Sequence, residues 1–291
     1  MSFRDSAEHR LAWLLCAPAV IAMLLVTAYP MLYSLWLSLF RYDLRFPDER
    51  QFVGLHNYIT VLSAPTWWQS LFNTALITIG SVVVELVLGF IIALVMHRAL
   101  VGRRTVRTAV LVPYGIITVV AAMSWRFAFD PTTGFVNGLL GLEGAWLADR
   151  WTAFAVIILT EIWKTTPFMA LLLLGGLTLV PEDLLRAARV DGANARQRFF
   201  RIVLPLMRPV IMVALLFRTL DAFRIFDTVF VLTRGAQGTE PVSVIGYNTL
   251  ITRLNLGLGS AVSVLIFLCV LAIAALYIKG FGIDLSRGED A

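Results

Sequence analysis

Long apolar runs separated by short polar connections make up most of this chain. A helix needs roughly 20 apolar residues to cross the hydrocarbon core of a bilayer. Six stretches reach that length, at residues 11–39, 70–97, 106–128, 151–179, 206–233 and 258–283. The pattern therefore predicts an all-α membrane protein in which six transmembrane helices form one domain over residues 1–291. The first run is longer than the apolar region of a signal peptide, so we expect it to remain as a span, bent at Pro18 and Pro30.

Composition agrees with this pattern. Hydrophobic residues make up 59% of the chain and charged residues 15%, whereas soluble domains average about 45–50% and about 25%. The cysteines Cys16 and Cys269 lie in separate apolar runs, and the three histidines stand apart from them and from one another. Neither a disulfide framework nor a metal site is expected from this arrangement.

Arginine and lysine are divided unevenly between the two sets of connections. The set that contains both termini and the segment 180–205 carries 14 of them, whereas the opposite set carries 6. By the positive-inside rule, both termini and the segment 180–205 are expected in the cytoplasm. The same distribution explains the net charge of +5 without a nucleic-acid partner.

Several ionisable residues remain within the predicted spans: Glu85, Arg126, Glu161, Lys164, Arg218, Asp221, Arg224 and Asp227. Each would be costly in contact with lipid, so we expect them to face the bundle interior or an aqueous cavity. Charges of alternating sign recur every three residues from Arg218 to Asp227, a spacing that lets neighbours pair along a helix. Two interpretations remain open for any one residue, namely a pair that holds helices together or a group that lines a solute path. As a group, these residues favour a path.

No nucleotide-binding P-loop occurs in the chain, which has only two lysines, Lys164 and Lys279. No arrangement of serine, histidine and aspartate or of paired histidines suggests a catalytic or metal site either. We therefore predict that the chain is not an enzyme, has no catalytic residues and has no ATP site of its own.

The segment from residue 182 to 201 predicts a short helix, a break at Gly192 and a second short helix. Acidic residues follow Pro181, where a helix begins, and Pro205 precedes the return to the membrane. Such a segment suits a protein-docking surface, and the alternative is a basic loop that only sets topology.

The stretch RAARVDGANARQRFFRIVLP, at 186–205, decides between these interpretations because its spacing matches a family pattern. The pattern is E-A-A, three residues, Gly, nine residues and I-x-L-P; the chain has Ala187, Ala188, Gly192, Ile202, Leu204 and Pro205 at those positions. The stretch therefore resembles the EAA loop of binding-protein-dependent ABC importers, and its flanks resemble the carbohydrate branch, the maltose-type permeases. The agreement continues in FNTALIT at 72–78, ELVLGFIIAL at 85–94, LVP at 111–113, GFVNGLL at 134–140 and VFVLTRG at 229–235.

The resemblance implies the type I ABC importer permease fold, with residues 180–205 as a coupling loop that docks in a cleft of a partner ATPase. The residues expected to couple to the ATPase are Glu182, Arg186, Ala187, Ala188, Asp191, Gly192, Ile202, Leu204 and Pro205. The leading glutamate of the family is Arg186 here, so either the ion pair with the ATPase is absent or the partner surface differs. Glu182 and Asp183, one turn earlier, are candidates to substitute for it.

The resemblance also implies a sugar pocket on the spans that flank the coupling loop. By alignment with the maltose-type permeases, its residues are Lys164, Thr165, Phe168, Arg218, Asp221, Ala222 and Ile225. The last four are spaced as one face of a helix. These positions are more charged than in the maltose case, so a different sugar is expected.

The expected partners are a second permease subunit in a heterodimer, two ATP-binding cassette subunits and an extracytoplasmic solute-binding protein or lipoprotein. ATP and magnesium would bind to the ATPase subunits, so no cofactor is expected on this chain. The resemblance implies a multi-pass protein of the bacterial inner (plasma) membrane, in contact with lipid.

Among sugars, we expect a disaccharide such as trehalose. The 22 arginines against 2 lysines are typical of GC-rich actinobacterial genomes, in which trehalose import is common. The cationic pocket candidates leave a glycerol-phosphate or polyol importer as an alternative. A secondary transporter acting alone and a structural membrane protein are further alternatives, although neither accounts for the EAA-type loop.

Overall fold

The computed structural model describes residues 2–98, 103–141 and 144–280. These residues belong to two compact units, one comprising residues up to 67 together with 246–267, and the other comprising 68–245 together with the residues from 268 onward. Residues 281–283 of the sixth predicted span, and Arg287, lie outside the described residues.

Helices account for most of the described chain. In chain order the helices and strands are α1 (Ser2–Met23), α2 (Tyr29–Leu37), β1 (Phe40–Arg41), β2 (Gln51–Phe52), α3 (His56–Ser63), α4 (Pro65–Arg98), α5 (Arg103–Gly115), α6 (Thr118–Ala128), α7 (Phe135–Leu140), α8 (Arg150–Leu177), α9 (Glu182–Val190), α10 (Ala195–Arg198), α11 (Leu204–Leu206), α12 (Arg208–Phe223), α13 (Asp227–Leu232), α14 (Val242–Tyr247) and α15 (Leu256–Gly280). Wider π-helical turns occur at Leu24–Ala28, Phe199–Val203 and Asn248–Thr252, and 3-10 turns at Pro47–Glu49 and Ala236–Gly238.

Within the described residues, four continuous helices are long and apolar enough to cross a membrane: Trp13–Leu37, Pro65–His97, Arg150–Leu177 and Leu256–Gly280. Two further apolar pairs are sharply bent at a short break, Thr108–Gly115 with Thr118–Ala128 by 92° and Ala195–Leu206 with Arg208–Leu232 by 66°. Counting each bent pair as one span gives six. The third predicted span is therefore broken at residues 116–117, and a sharp bend at Met207 marks the start of the fifth. Apolar length alone predicts neither feature.

Two of the π-helical turns end two residues before a proline. Pro30 has no N–H to donate, and its ring would clash with the carbonyl of Val26, four residues earlier. Val26 lies in the wide turn Leu24–Ala28, which accommodates both effects, so α1 continues into α2 as one span. The turn Phe199–Val203 stands in the same relation to Pro205.

The first unit contains a two-stranded antiparallel ribbon that the sequence analysis did not predict. Phe40 pairs with Phe52, and the buried Asn57 side chain donates hydrogen bonds of 2.8 Å to the carbonyls of Ser38 and Phe40. The Arg50 guanidinium lies 4.6 Å from the centroid of the Phe40 ring. Because strands of two residues supply few ladder hydrogen bonds, these side-chain contacts stabilise the ribbon.

Close helix packing in the second unit depends on glycine. A Cβ atom added to Gly89, in α4, would lie 2.8 Å from Met169 Cγ and 3.2 Å from the backbone nitrogen of Ala170, both in α8. Small residues allow helix backbones to approach in this way, which replaces the hydrophobic driving force that is missing between helices in lipid.

We predict that Gly89→Val destabilises the protein because its side chain would force α4 and α8 apart. Overpacking of this kind costs about 1–3 kcal/mol, which should lower the melting temperature of the detergent-purified protein. Gly175→Val is the matched control, since Gly175 is likewise a helical glycine, in the last turn of α8, and no heavy atom lies within 4 Å of an added Cβ. Equal melting temperatures for the two variants would contradict this account of the packing.

Candidate functional site

A buried arginine binds carboxylates from three segments of the second unit. Arg218, in α12, is 1% exposed. Its Nε and Nη2 donate to the two carboxylate oxygens of Glu85 in α4, at 2.5 and 3.0 Å. Nη2 also donates to Glu161 in α8 at 3.1 Å, and Nη1 donates to Asp221, one turn further along α12, at 2.8 Å. All three nitrogens of the guanidinium therefore donate hydrogen bonds to carboxylates, as expected for a buried arginine.

Two threonine hydroxyls complete this network. The hydroxyl of Thr165 lies 2.8 Å from Oε1 of Glu85, and that of Thr228 donates to Oε1 of Glu161 at 2.5 Å. The network, defined as Arg218, Glu85, Glu161, Asp221 and the two threonines, thus joins α4, α8, α12 and α13. Hydrogen bonds to each carboxylate offset the large cost of removing these charges from water.

A cavity of about 430 Å³ borders the network within the second unit. We name it the polar cavity. Its charged lining residues are Glu161, Lys164, Asp221, Arg224 and Asp227. Its other lining residues are Tyr114, Thr118, Thr165, Ile225, Phe226 and Thr228. The lining therefore combines hydroxyl groups, charges of both signs and two aromatic rings. Such a lining suits a polar organic solute.

Two breaks in the apolar helices border the polar cavity. The ammonium group of Lys164 donates a 2.7 Å hydrogen bond to the carbonyl of Ile116, in the break between α5 and α6. The second break follows α12, which ends at Phe223, and it is formed by residues 224–226. Irregular backbone at membrane depth is tolerated where it is buried in protein or lines a cavity, because its polar groups then find partners.

The segment 180–205, which we name the coupling segment, is a short helix, a break and a second short helix, as the sequence predicts. Gly192 has a φ of +80°, a conformation that glycine adopts without strain. Asn194 and Gln197 form a reciprocal capping box at the start of α10, which the sequence analysis did not identify. Arg186 Nη2 lies 2.8 Å from Glu182 Oε2, so Arg186 is paired within its own helix.

Residues 85–281 match the family model described as binding-protein-dependent transport system inner membrane component. The chain belongs to this family. The family description makes it the membrane component of a transport system, as the resemblance of the coupling segment to ABC importers led us to expect.

Two characterised relatives align with almost the whole chain. The trehalose transport system permease protein SugA of Mycobacterium tuberculosis is 55% identical over 283 residues, which cover 97% of this chain and 92% of SugA. The trehalose/maltose transport system permease protein MalF of Thermococcus litoralis is 40% identical over 281 residues, covering 94% of each chain.

The fold matches that of a solved transporter of the same class. A bacterial alginate ABC transporter, crystallised in complex with an alginate pentasaccharide-bound periplasmic protein, superimposes with a TM-score of 0.82 at 21% identity. The match covers 96% of each chain. At that identity the similarity concerns the fold alone, and it agrees with the predicted type I importer permease architecture.

Four of the seven predicted pocket residues line the polar cavity: Lys164, Thr165, Asp221 and Ile225. Arg218 and Ala222 are not on its wall, since each is 1% exposed and buried between helices. Phe168 stacks on Tyr114, a lining residue, with ring centroids 5.4 Å apart. The expected single helical face is wrong beyond residue 223, because α12 ends there and Ile225 lies in the break.

Several lining residues of the polar cavity are not among the predicted pocket residues. Glu161, Arg224 and Asp227 were recognised as charges within the spans, and that signal was sufficient to include them. Tyr114 and Thr118 are brought to the cavity by the break between α5 and α6, which follows Pro113. Pro113 and Gly115, which ends α5, are the indications of the break in the sequence.

We predict that Arg218→Met strongly destabilises the protein because it leaves Glu85 and Glu161 buried without their cation. Removing one partner of a buried pair costs about 3–5 kcal/mol. Heat-induced loss of monodisperse protein in detergent would measure this effect. Arg224→Met is the control, since it removes an exposed arginine six residues away. Adding Glu85→Gln should recover part of the loss, and a melting temperature of Arg218→Met equal to that of the wild type would contradict the role of the network.

Proposed function

We propose that the chain forms part of the translocation path for a neutral, hydroxyl-rich sugar in an ATP-driven importer, and that trehalose is the sugar. The observation that carries this proposal is the polar cavity, whose lining offers donors and acceptors of both signs. A sugar leaves water only where its hydroxyls find replacement hydrogen bonds, because each unsatisfied polar group is costly. The volume of about 430 Å³ lies within the range of about 300–1,000 Å³ typical of small-molecule pockets.

The charge balance at the polar cavity disfavours an anionic solute. Lys164 and Arg224 are opposed by the carboxylates of Glu161, Asp221 and Asp227 on the same wall. The adjacent Arg218 adds one positive charge, and Glu85, which it binds at 2.5 Å, cancels it. Because acids outnumber bases, a phosphate group would be repelled, so the glycerol-phosphate alternative is the weaker one.

Trehalose is supported by the relatives. SugA and MalF, at 55% and 40% identity, carry trehalose and trehalose/maltose in their names. Tyr114 and Phe226 add aromatic surface to the lining, against which the apolar faces of a sugar ring can pack.

We infer that the chain operates as a heterodimer with a second permease. Two ATPase subunits would bind on the cytoplasmic side and a solute-binding protein on the extracytoplasmic side. The absence of a P-loop from the sequence means that ATP and magnesium would be bound by the ATPase subunits. The excess of 14 over 6 basic residues supports cytoplasmic termini and a cytoplasmic coupling segment. The coupling segment would then transmit closure of the ATPase pair to the membrane helices, which would move as rigid bodies.

The proposed function is tested by reconstituting the complete transporter with its solute-binding protein and measuring ATPase stimulation by different solutes. Trehalose should stimulate hydrolysis, whereas glycerol 3-phosphate should leave it at the basal rate. Stimulation by the phosphate ester alone would replace the sugar proposal with its alternative. No stimulation by any solute, together with no copurifying ATPase, would remove the importer assignment.

We predict that Lys164→Ala and Asp221→Ala each lower trehalose uptake while leaving the amount of membrane-inserted protein unchanged. Losing a hydrogen bond to a charged group should reduce uptake by about tenfold or more. Lys279→Ala is the control, since it removes the one other lysine of the chain, in the last turn of α15. Uptake at the wild-type rate in both cavity variants would exclude these residues from the path.

We predict that Gly192→Val uncouples ATP hydrolysis from transport because it distorts the break between α9 and α10. No heavy atom lies within 4 Å of an added Cβ, so the effect would come from the φ of +80° and not from a clash. Gly192→Asn is the matched variant, because asparagine tolerates the left-handed conformation that a β-branched residue resists. The solute-stimulated fraction of ATPase activity distinguishes the two, and a normal fraction in Gly192→Val would refute the role of this turn.

A further inference from the structure

The second unit contains another cavity, behind the coupling segment. Its volume is about 360 Å³, and it lies between the C-terminal ends of α4 and α8 on one side and α9 and α10 on the other. We name it the basic cavity because Arg186, Arg189 and Arg198 line it. Its remaining wall is largely apolar and includes Leu94 and Leu177, from the ends of the two long helices.

Two of the three arginines give the basic cavity its excess positive charge. Arg186 is neutralised by Glu182 at 2.8 Å and lies 3.9 Å from Asp183. Arg198 Nη1 donates to the backbone carbonyl of Ala193 at 2.5 Å, a contact that orients the guanidinium without cancelling its charge. Arg189 makes no ion pair within the described residues.

The basic cavity shares Glu182 and Arg186 with the residues expected to contact the ATPase, whereas Arg189 and Arg198 lie outside that set. Helix α9 turns Glu182, Arg186 and Arg189 towards the cavity, one face at intervals of three and four residues. Leu184 and Val190 do not line the cavity, and they are 49% and 88% exposed. Leu184 and Val190 therefore form an exposed apolar face of α9 outside the cavity, whereas Glu182, Arg186 and Arg189 border the cavity.

We propose that the basic cavity binds the phosphate group of an anionic molecule, held by the guanidinium groups of Arg189 and Arg198. Guanidinium groups bind phosphate oxygens through paired hydrogen bonds, and the apolar wall suits the first carbons of an acyl chain. Basic pockets between membrane helices on the cytoplasmic side are suited to anionic lipid headgroups. The phosphate comes either from a lipid such as phosphatidylglycerol or from soluble phosphate. The lipid source depends on the proposed cytoplasmic position of the coupling segment.

The test uses the purified transporter complex and measures binding rather than uptake. Native mass spectrometry counts the lipids retained after equilibration with equal amounts of phosphatidylglycerol and phosphatidylcholine. The variant Arg189→Gln with Arg198→Gln removes the two cavity arginines. The control, Arg196→Gln with Arg201→Gln, removes the same charge from the same segment at exposed positions outside the cavity. A second arm compares the melting temperature in inorganic phosphate and in chloride at equal ionic strength.

We expect the wild type to bind phosphatidylglycerol in preference to phosphatidylcholine. In the cavity variant, the ratio of bound phosphatidylglycerol to bound phosphatidylcholine should fall roughly tenfold or more. The control variant should keep the wild-type ratio. Stabilisation by inorganic phosphate that only the cavity variant loses would identify a soluble source instead. Equal losses in both double variants would mean general surface attraction and would overturn the proposal, as would binding in neither arm. Arg189→Gln alone, at an exposed position, keeps the test valid if the double variant does not fold. Because uptake is not measured, failure here and failure of the sugar proposal are separate results.

Discussion

The buried guanidinium of Arg218 organises the second unit by drawing carboxylates from α4, α8 and its own helix to one point. A membrane helix interior offers no water to stabilise a charge, so each of these groups depends on the others for its hydrogen bonds. The polar cavity is built against this network, since Glu161, Thr165, Asp221 and Thr228 belong to both. The contacts that hold the helices in register therefore also determine which polar groups face the polar cavity.

Breaks in the apolar helices supply the rest of the polar cavity. Backbone groups that leave a helix at membrane depth need partners, and Lys164 provides one for the carbonyl of Ile116. The break after α12 brings Arg224 and Phe226 to the same wall. Packing, paired charges and interrupted helices thus act together: close helix contacts exclude lipid, the network sets the position of the helices, and the breaks open a space between them.

The short helix α9 of the coupling segment presents two faces. Arg186 occupies the position of an acid in the family pattern, and within this chain Glu182 pairs with it. An exposed pair of this kind stabilises a helix by only about 0.3–0.5 kcal/mol, so its importance lies in the orientation of the side chain. The pair lies beside the basic cavity, although the side chains of Arg186 and Glu182 are 70% and 74% exposed, and Leu184 and Val190 are exposed on another face of α9.

The sequence by itself determined the membrane class, the number of apolar stretches, the intramembrane charges and the break at Gly192, because each depends on composition, local spacing or backbone conformation. It also carried the coupling pattern, which is continuous in the chain. Only the tertiary structure decided which charges pair and which line the polar cavity. Arg218 and Asp221 are three residues apart and both charged, yet one is 1% exposed and the side chain of the other is 65% exposed. That difference arises because Arg218 binds Glu85 in α4 and Glu161 in α8. These two residues are 133 and 57 residues away from Arg218 in sequence. The bend of 92° between α5 and α6 could not be predicted either, because Pro113 and Gly115 signal a break but not the direction in which packing turns the chain.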